Sequence, residues 1–181
     1  MHVRHFEIEG PALILPKRHE DARGYFFEAF REDWFRQTIA DVTFVQDNQA
    51  LSKDRATLRG LHYQTPPAAQ GKLVRCLKGS VFDVVVDIRK GSETFGQWLG
   101  QTLTASGGEQ LWVPEGFAHG YVTLEDDTEV FYKVTHPYSP AHEAGIVYND
   151  PDIRVAWPFD PSEVILSPKD KAQPQLAETI F

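Results

Sequence analysis

The chain has 181 residues, 41% hydrophobic and 12% aromatic, which is enough for one ordinary domain, residues 1–181, with a substantial core. Its 18 Lys and Arg are outnumbered by 26 Asp and Glu, and the net charge of −8 excludes general nucleic-acid binding, which needs a clustered cationic excess. One cysteine, Cys76, excludes an internal disulfide, and its place in the apolar run LVRCL reads as a buried, inert thiol in a reducing compartment.

The opening MHVRHFEIEG has none of the charged start, apolar stretch and small-residue cleavage site of a secretory signal. No run approaches the ~20 apolar residues of a membrane span, so the expectation is a cytoplasmic protein with no membrane partner. Next, FREDWFRQTI spaces Phe30, Trp34, Phe35 and Ile39 about one helical turn apart and predicts a short helix lying against a sheet. From residue 42 to 135 come short runs rich in Val, Phe, Tyr, Trp and Leu: VTFVQ, GKLVRCLKG, VFDVVVDI, QWLGQTL, EQLWVP, HGYVTL and EVFYKV. They are punctuated by Gly, Pro, Asn, Asp and Ser at even spacing, which predicts an all-β sandwich or barrel with short peripheral helices. Beyond residue 135 prolines recur at 137, 140, 151, 158, 161, 168 and 174, so the tail is expected to be loops and short helical turns that wrap the barrel.

Strand alternation in RGLHYQ puts His62 on the face of Gly60 and Gln64, with Arg59, Leu61 and Tyr63 on the other. A second histidine, His119, lies in PEGFAHGY, where Pro114 and Gly116 shape a turn feeding a strand, as in the second motif of cupin barrels. Two histidines raise a metal site, but the first cupin motif usually supplies two His and a carboxylate. Here it supplies one His, followed by Tyr63 and Gln64, so no metal is expected. His62 is then a natural general base, provided that a carboxylate orients its second ring nitrogen; Asp83, which interrupts VFDVVVDI, and Asp170 are both candidates.

In EVFYKV, Tyr132 shares a face with Val130 and Val134 and should point inward, where a phenol opposite a His base can return a proton to the other face of a carbanion. Arg23, Arg59, Lys72 and Lys169 are singly ordinary surface charges and together an anion site; Lys72, after Gly71 at a strand start, is placed to steady a developing oxyanion. Gln46 and Asn48 alternate on one face of VQDNQ and can read a ring or base edge.

These residues resemble the dTDP-4-dehydrorhamnose 3,5-epimerase family. The resemblance is carried by RGYFFE (23–28), FVQDNQ (44–49), LRGLHYQ (58–64), QGKLVRCLKGSVFDVVVDIRKGSETFGQW (70–98), LWVPEGFAHGYVTL (111–124), YKVT (132–135), YSP (138–140), NDP (149–151) and WPF (157–159). HPY at 136–138 stands where two adjacent tyrosines are common, and YND replaces WND at 148–150. The resemblance implies a cupin-type jelly roll (double-stranded β-helix), a homodimer and no cofactor. It also implies conversion of dTDP-4-dehydro-6-deoxy-D-glucose to dTDP-4-dehydro-L-rhamnose.

By motif match His62 resembles the family's base and Tyr132 its acid, with Asp170 or Asp83 as partner of the histidine. Arg23, Phe26, Glu28, Gln46, Asn48, Arg59, Lys72, His119, Glu143 and Lys169 match substrate-contacting positions, and Tyr138 a thymine-stacking aromatic. The segment RGYFFE is implied to reach the neighbouring subunit's site. Competing readings are an epimerase acting at C3 or C5 alone, a related ketoisomerase, a metal-dependent cupin oxygenase and a non-catalytic nucleotide-sugar sensor.

Overall fold

Two antiparallel sheets face each other in the computed structural model, which describes residues 1–179. Sheet one has the order β1 (His2–His5), β2 (Ala12–Leu15), β10 (Gln110–Val113), β7 (Lys72–Lys78), β12 (Thr128–Val134), β5 (Gln46–Ser52). Sheet two has the order β13 (Glu143–Gly145), β6 (Thr57–Gln64), β11 (Phe117–Thr123), β8 (Ser80–Asp87), β9 (Trp98–Thr104), with β14 (Ile165–Leu166) added in parallel to β6. Neighbours in a sheet are mostly distant in sequence, the crossed connectivity of a jelly roll, and the fold is of the cupin type. A separate hairpin, β3 (His19–Asp21) and β4 (Gly24–Phe26), projects outside both sheets.

Three apolar layers hold this together. Between the sheets, Leu13, Val74, Cys76, Leu111 and Val130 of sheet one meet Val81, Val85, Leu103, Phe117 and Tyr121 of sheet two. Outside sheet one, helix α1 (Glu32–Thr38) buries Phe35 against Ala12, Ile14, Leu73 and Trp112. Its Glu32 and Asp33 in the first turn and Arg36 in the last complement the helix dipole. Outside sheet two, Ile146, Ile153 and Leu176 of the tail cover Leu61, Tyr63, Val84 and Val86. Strand β8 is therefore apolar on both faces, which explains why VFDVVVDI reads as a nearly continuous hydrophobic run.

Two sequence expectations shift. The run VTFVQ is not a strand: β5 starts only at Gln46, because Val42 and Phe44 turn outward to join the aromatic cluster around α1. The alternation expected in RGLHYQ breaks at Gly60, where β6 carries one more residue than β11: His62 pairs with His119 but Arg59 with Tyr121. Gly60 sits at φ +137°, and a Cβ there would lie 2.5 Å from Gly120 Cα, so only glycine allows the two backbones to approach so closely. The extra residue returns Arg59 to the face of His62.

Candidate active site

The inward faces of β5, β6, β7, β11 and β12, closed by residues of the tail, enclose a cavity of 280 Å³ lined by Ala50, Arg59, His62, Lys72, His119, Tyr121, Tyr132, Ser167, Lys169 and Asp170. A larger hollow of 660 Å³ lies outside sheet two, between β13 and the tail, and neither histidine lines it. The smaller cavity gathers the titratable groups and is the candidate site.

The sequence left the partner of His62 open between two carboxylates, and the structure assigns one to each histidine. His62 Nε2 lies 2.6 Å from Asp170 Oδ1, while Asp83 pairs instead with His119, at 2.8 and 3.0 Å from its Nε2. Asp83 thus does not orient His62: Asp83 sits on β8, opposite Tyr121 of β11, and β11 separates it from β6. Asp170 reaches His62 because β14 docks the tail on β6 and helix α2 (Pro168–Lys171) follows at once. Burial works to raise the Asp170 carboxyl, but hydrogen bonds from His62, Ser167 and the Gly60 amide outweigh it and hold the group below its usual range. The two pairs differ in access: the His62 side chain is 29% exposed and that of His119 only 7%.

Lys72 is buried, and its ammonium donates to the His62 carbonyl at 3.2 Å. Burial pulls it down to about 8, against the opposing pull of Asp83 and Glu143. Tyr132 stands on sheet one, across the barrel from His62 on sheet two. Burial raises its phenol, with Arg59 opposing, so it remains a neutral proton donor at physiological pH.

A chain of polar contacts forms the mouth. Gln46 Nε2 donates to Asn48 Oδ1 at 2.8 Å, Gln46 Oε1 accepts the Tyr138 amide at 3.0 Å, and the Tyr138 hydroxyl donates to Glu143 Oε2 at 2.6 Å. Glu143 also pairs with Lys169. Burial would raise the Glu143 carboxyl, but the Lys169 and Tyr138 hydrogen bonds prevail and lower it. Tyr138 itself is 52% exposed and presents a flat face at the rim.

Arg23, Phe26 and Glu28 do not line the cavity. Arg23 pairs with Asp21 on the outlying hairpin, Glu28 lies 3.8 Å from Arg31, and Phe26, 72% exposed, borders a hollow with Arg75 and Leu77 on the outside of sheet one. Among the described residues there is no group of three or more His, Cys, Asp or Glu placed to hold a metal ion. Tyr121, Ser167 and Ala50 line the cavity without having been singled out from the sequence. Two signals were there: Tyr121 lies two residues after His119 on one strand, and Ser167 stands three before Asp170 in a helix-capping pattern.

Residues 5–178 match the family model described as dTDP-4-dehydrorhamnose 3,5-epimerase. A dTDP-4-dehydrorhamnose 3,5-epimerase of Sinorhizobium fredii is 51% identical over 178 residues, covering 98% of this chain and 91% of the relative. A Legionella pneumophila dTDP-6-deoxy-D-glucose-3,5-epimerase, solved in complex with dTDP-4-keto-L-rhamnose, superposes with a TM-score of 0.93 at 43% identity, covering 98% of this chain and 93% of that one. A 3'-monoepimerase from Streptomyces bikiniensis, in complex with dTDP-quinovose, superposes with a TM-score of 0.88 at 37% identity, covering 95% and 86%. A jelly roll with this cavity, matched along nearly its whole length, belongs to the dTDP-4-dehydrorhamnose 3,5-epimerase family.

Proposed function

We propose that the chain, as a single domain, converts dTDP-4-dehydro-6-deoxy-D-glucose to dTDP-4-dehydro-L-rhamnose by inverting C3 and C5 in this cavity. The observation that carries this reading is a histidine–carboxylate pair, His62–Asp170, facing Tyr132 from the opposed sheet across one cavity that also holds the buried Lys72 ammonium.

The ketone at C4 acidifies the protons on both neighbouring carbons, because the electron pair left on C3 or C5 delocalises onto the C4 oxygen as an enolate. His62 takes the proton from one face, with Asp170 fixing the ring and stabilising the imidazolium. Lys72 and His119 steady the enolate oxygen, the lysine as a cation below about pH 8. Tyr132 delivers its phenolic proton to the opposite face of the same carbon, inverting it. Once His62 has released its proton to solvent and the Tyr132 phenolate has taken one up, repetition at the second carbon gives the L sugar.

Arg59 and Lys169 supply positive charge for the diphosphate, Tyr138 stacks on the thymine, and Gln46, Asn48 and Glu143 contact the nucleotide sugar. Arg23, Phe26 and Glu28 complete the site of the neighbouring subunit in a homodimer. The exposure of Tyr25 and Phe26, 54% and 72%, supports such a contact, since large aromatics held in water favour burial against a partner. The enzyme works in the cytoplasm, where nucleotide sugars are made.

Incubation with the keto sugar in deuterated water tests the proposal: label at both C3 and C5 is expected, and a protein that exchanges neither proton refutes it. Likeness to a 3'-monoepimerase favours one second reading, inversion at C3 alone. Label at C3 with none at C5 would establish it.

A further inference from the structure

We propose that Ser167 is a positioning residue for proton abstraction, holding Asp170, and through it the His62 ring, in the geometry the base needs. The inference rests on the reading of His62 as the base. Asp170 has two carboxylate oxygens, and each has its own partner: Oδ1 takes His62 Nε2 at 2.6 Å, and Oδ2 takes the Ser167 hydroxyl proton at 2.7 Å. The same Ser167 oxygen accepts the Asp170 main-chain N–H at 3.0 Å. One atom thus grips the side chain and the backbone of Asp170 together, so the carboxylate cannot swing about its own bonds without giving up a charge-assisted hydrogen bond.

Asp170 needs this grip because of where it comes from. Arg59, His62, Lys72, His119, Tyr121 and Tyr132 of the cavity wall stand on strands of seven or eight residues, whereas Asp170 stands on α2, which has four residues. A helix that short has no stability of its own. It is fixed by the Ser167 cap, by the helix-compatible Pro168 in its first turn and by the two-residue strand β14 that precedes it. The same turn carries Lys169 to Glu143, so the serine caps the helix that makes both contacts, Asp170 to His62 and Lys169 to Glu143. Ser167 itself is exposed.

The experiment compares Ser167→Ala and Ser167→Thr with wild type in the C3 and C5 proton-exchange assay, together with dTDP affinity and thermal midpoint. For S167A kcat should fall roughly tenfold while KM and the dTDP Kd stay within about twofold, because the lost bond is made to the base's partner and not to substrate. S167T, which keeps the oxygen, should recover most of the rate. A rate for S167A equal to wild type overturns the inference. So does a rate loss matched by loss of dTDP binding, which would make Ser167 a substrate contact, or an S167T variant as slow as S167A. Should S167A fail to fold, S167T decides alone: wild-type rate supports the role, and a slow, folded S167T overturns it. A wild type that exchanges neither proton overturns the epimerase reading and this inference with it, whereas an active wild type with an unaffected S167A overturns the inference alone.

Discussion

Replacing Lys72 by Met is expected to make the fold more stable and the enzyme far slower. In the folded chain burial draws the ammonium from its ordinary 10.5 down to about 8. At about 1.4 kcal/mol per pH unit, holding the charged form in the barrel costs on the order of 3 kcal/mol. Methionine matches the length of the stem and carries no charge, so that penalty disappears; the lost hydrogen bond to the His62 carbonyl returns about 1 kcal/mol of it. The net gain is about 2 kcal/mol at pH 7.

The sign follows from proton linkage. Below about pH 8 lysine is protonated in both folded and unfolded chains, and the folded state bears the whole penalty. Between about 8 and 10.5 the unfolded chain retains the proton that the folded chain has lost, so wild-type stability from this group rises with pH and the Met advantage shrinks. Urea unfolding of both proteins across pH 7 to about 9.5 measures the difference directly. In parallel kcat should fall by about 10²- to 10³-fold, the usual consequence of removing one oxyanion donor. A Met variant less stable than wild type at pH 7, or a difference that does not change with pH, refutes the argument that Lys72 is held as a strained cation.

Four further outcomes are expected. Gly60→Ala should lose about 2–4 kcal/mol in denaturant unfolding and slow exchange as well, since its Cβ would meet Gly120 Cα at 2.5 Å and push β6 from β11 beside both histidines. Asp170→Asn should cut kcat by about 10²-fold or more with dTDP binding retained, because an amide can neither orient His62 equally nor stabilise its cation; calorimetry beside the exchange assay reads both. Burial pushes the Cys76 thiol up to about 11, so iodoacetamide at about pH 7.5 should leave it unmodified in the native protein and alkylate it only after denaturation, as read by mass spectrometry. Wild type should sediment as the proposed homodimer and Phe26→Asp as one chain; an unchanged mass for the variant would show that the hairpin aromatics do not join subunits.

Inward-facing positions were legible wherever a strand keeps its period of two. Val130, Tyr132 and Val134 face the barrel as their alternation requires, and Asp83, one of two aspartates in VFDVVVDI, is buried against His119. What failed to show in the sequence depends on one extra residue or on contacts across the fold. The bulge at Gly60 reverses the face of Arg59, and nothing in RGLHYQ states on which strand the extra residue falls. The pairing of carboxylates with histidines joins positions 108 and 36 residues apart, so it is fixed only by sheet order and by the docking of the tail. The start of β5 moved because Val42 and Phe44 have a second apolar surface to cover, the α1 cluster, and local periodicity does not say which surface a hydrophobic run will choose.

The two histidine–carboxylate pairs stand side by side, paired across β6 and β11, and their unequal burial suits unequal tasks. In the proposed mechanism His62 is the base and His119 steadies the enolate oxygen, and a base that serves two carbons in turn holds a proton after the first abstraction and must release it before the second. His62, with its ring 29% exposed and its carboxylate delivered by the surface tail, has a route to water for that exchange. His119 and Asp83, at 7% and 0%, have none and instead keep a fixed donor beside the buried Lys72, where the enolate oxygen needs hydrogen bonds that do not reorganise during the reaction. Exchanging the two environments would leave a sealed base and a mobile oxyanion donor. The division of labour follows from which histidine the wrapping tail reaches, and so from the few residues that bring Asp170 back onto β6.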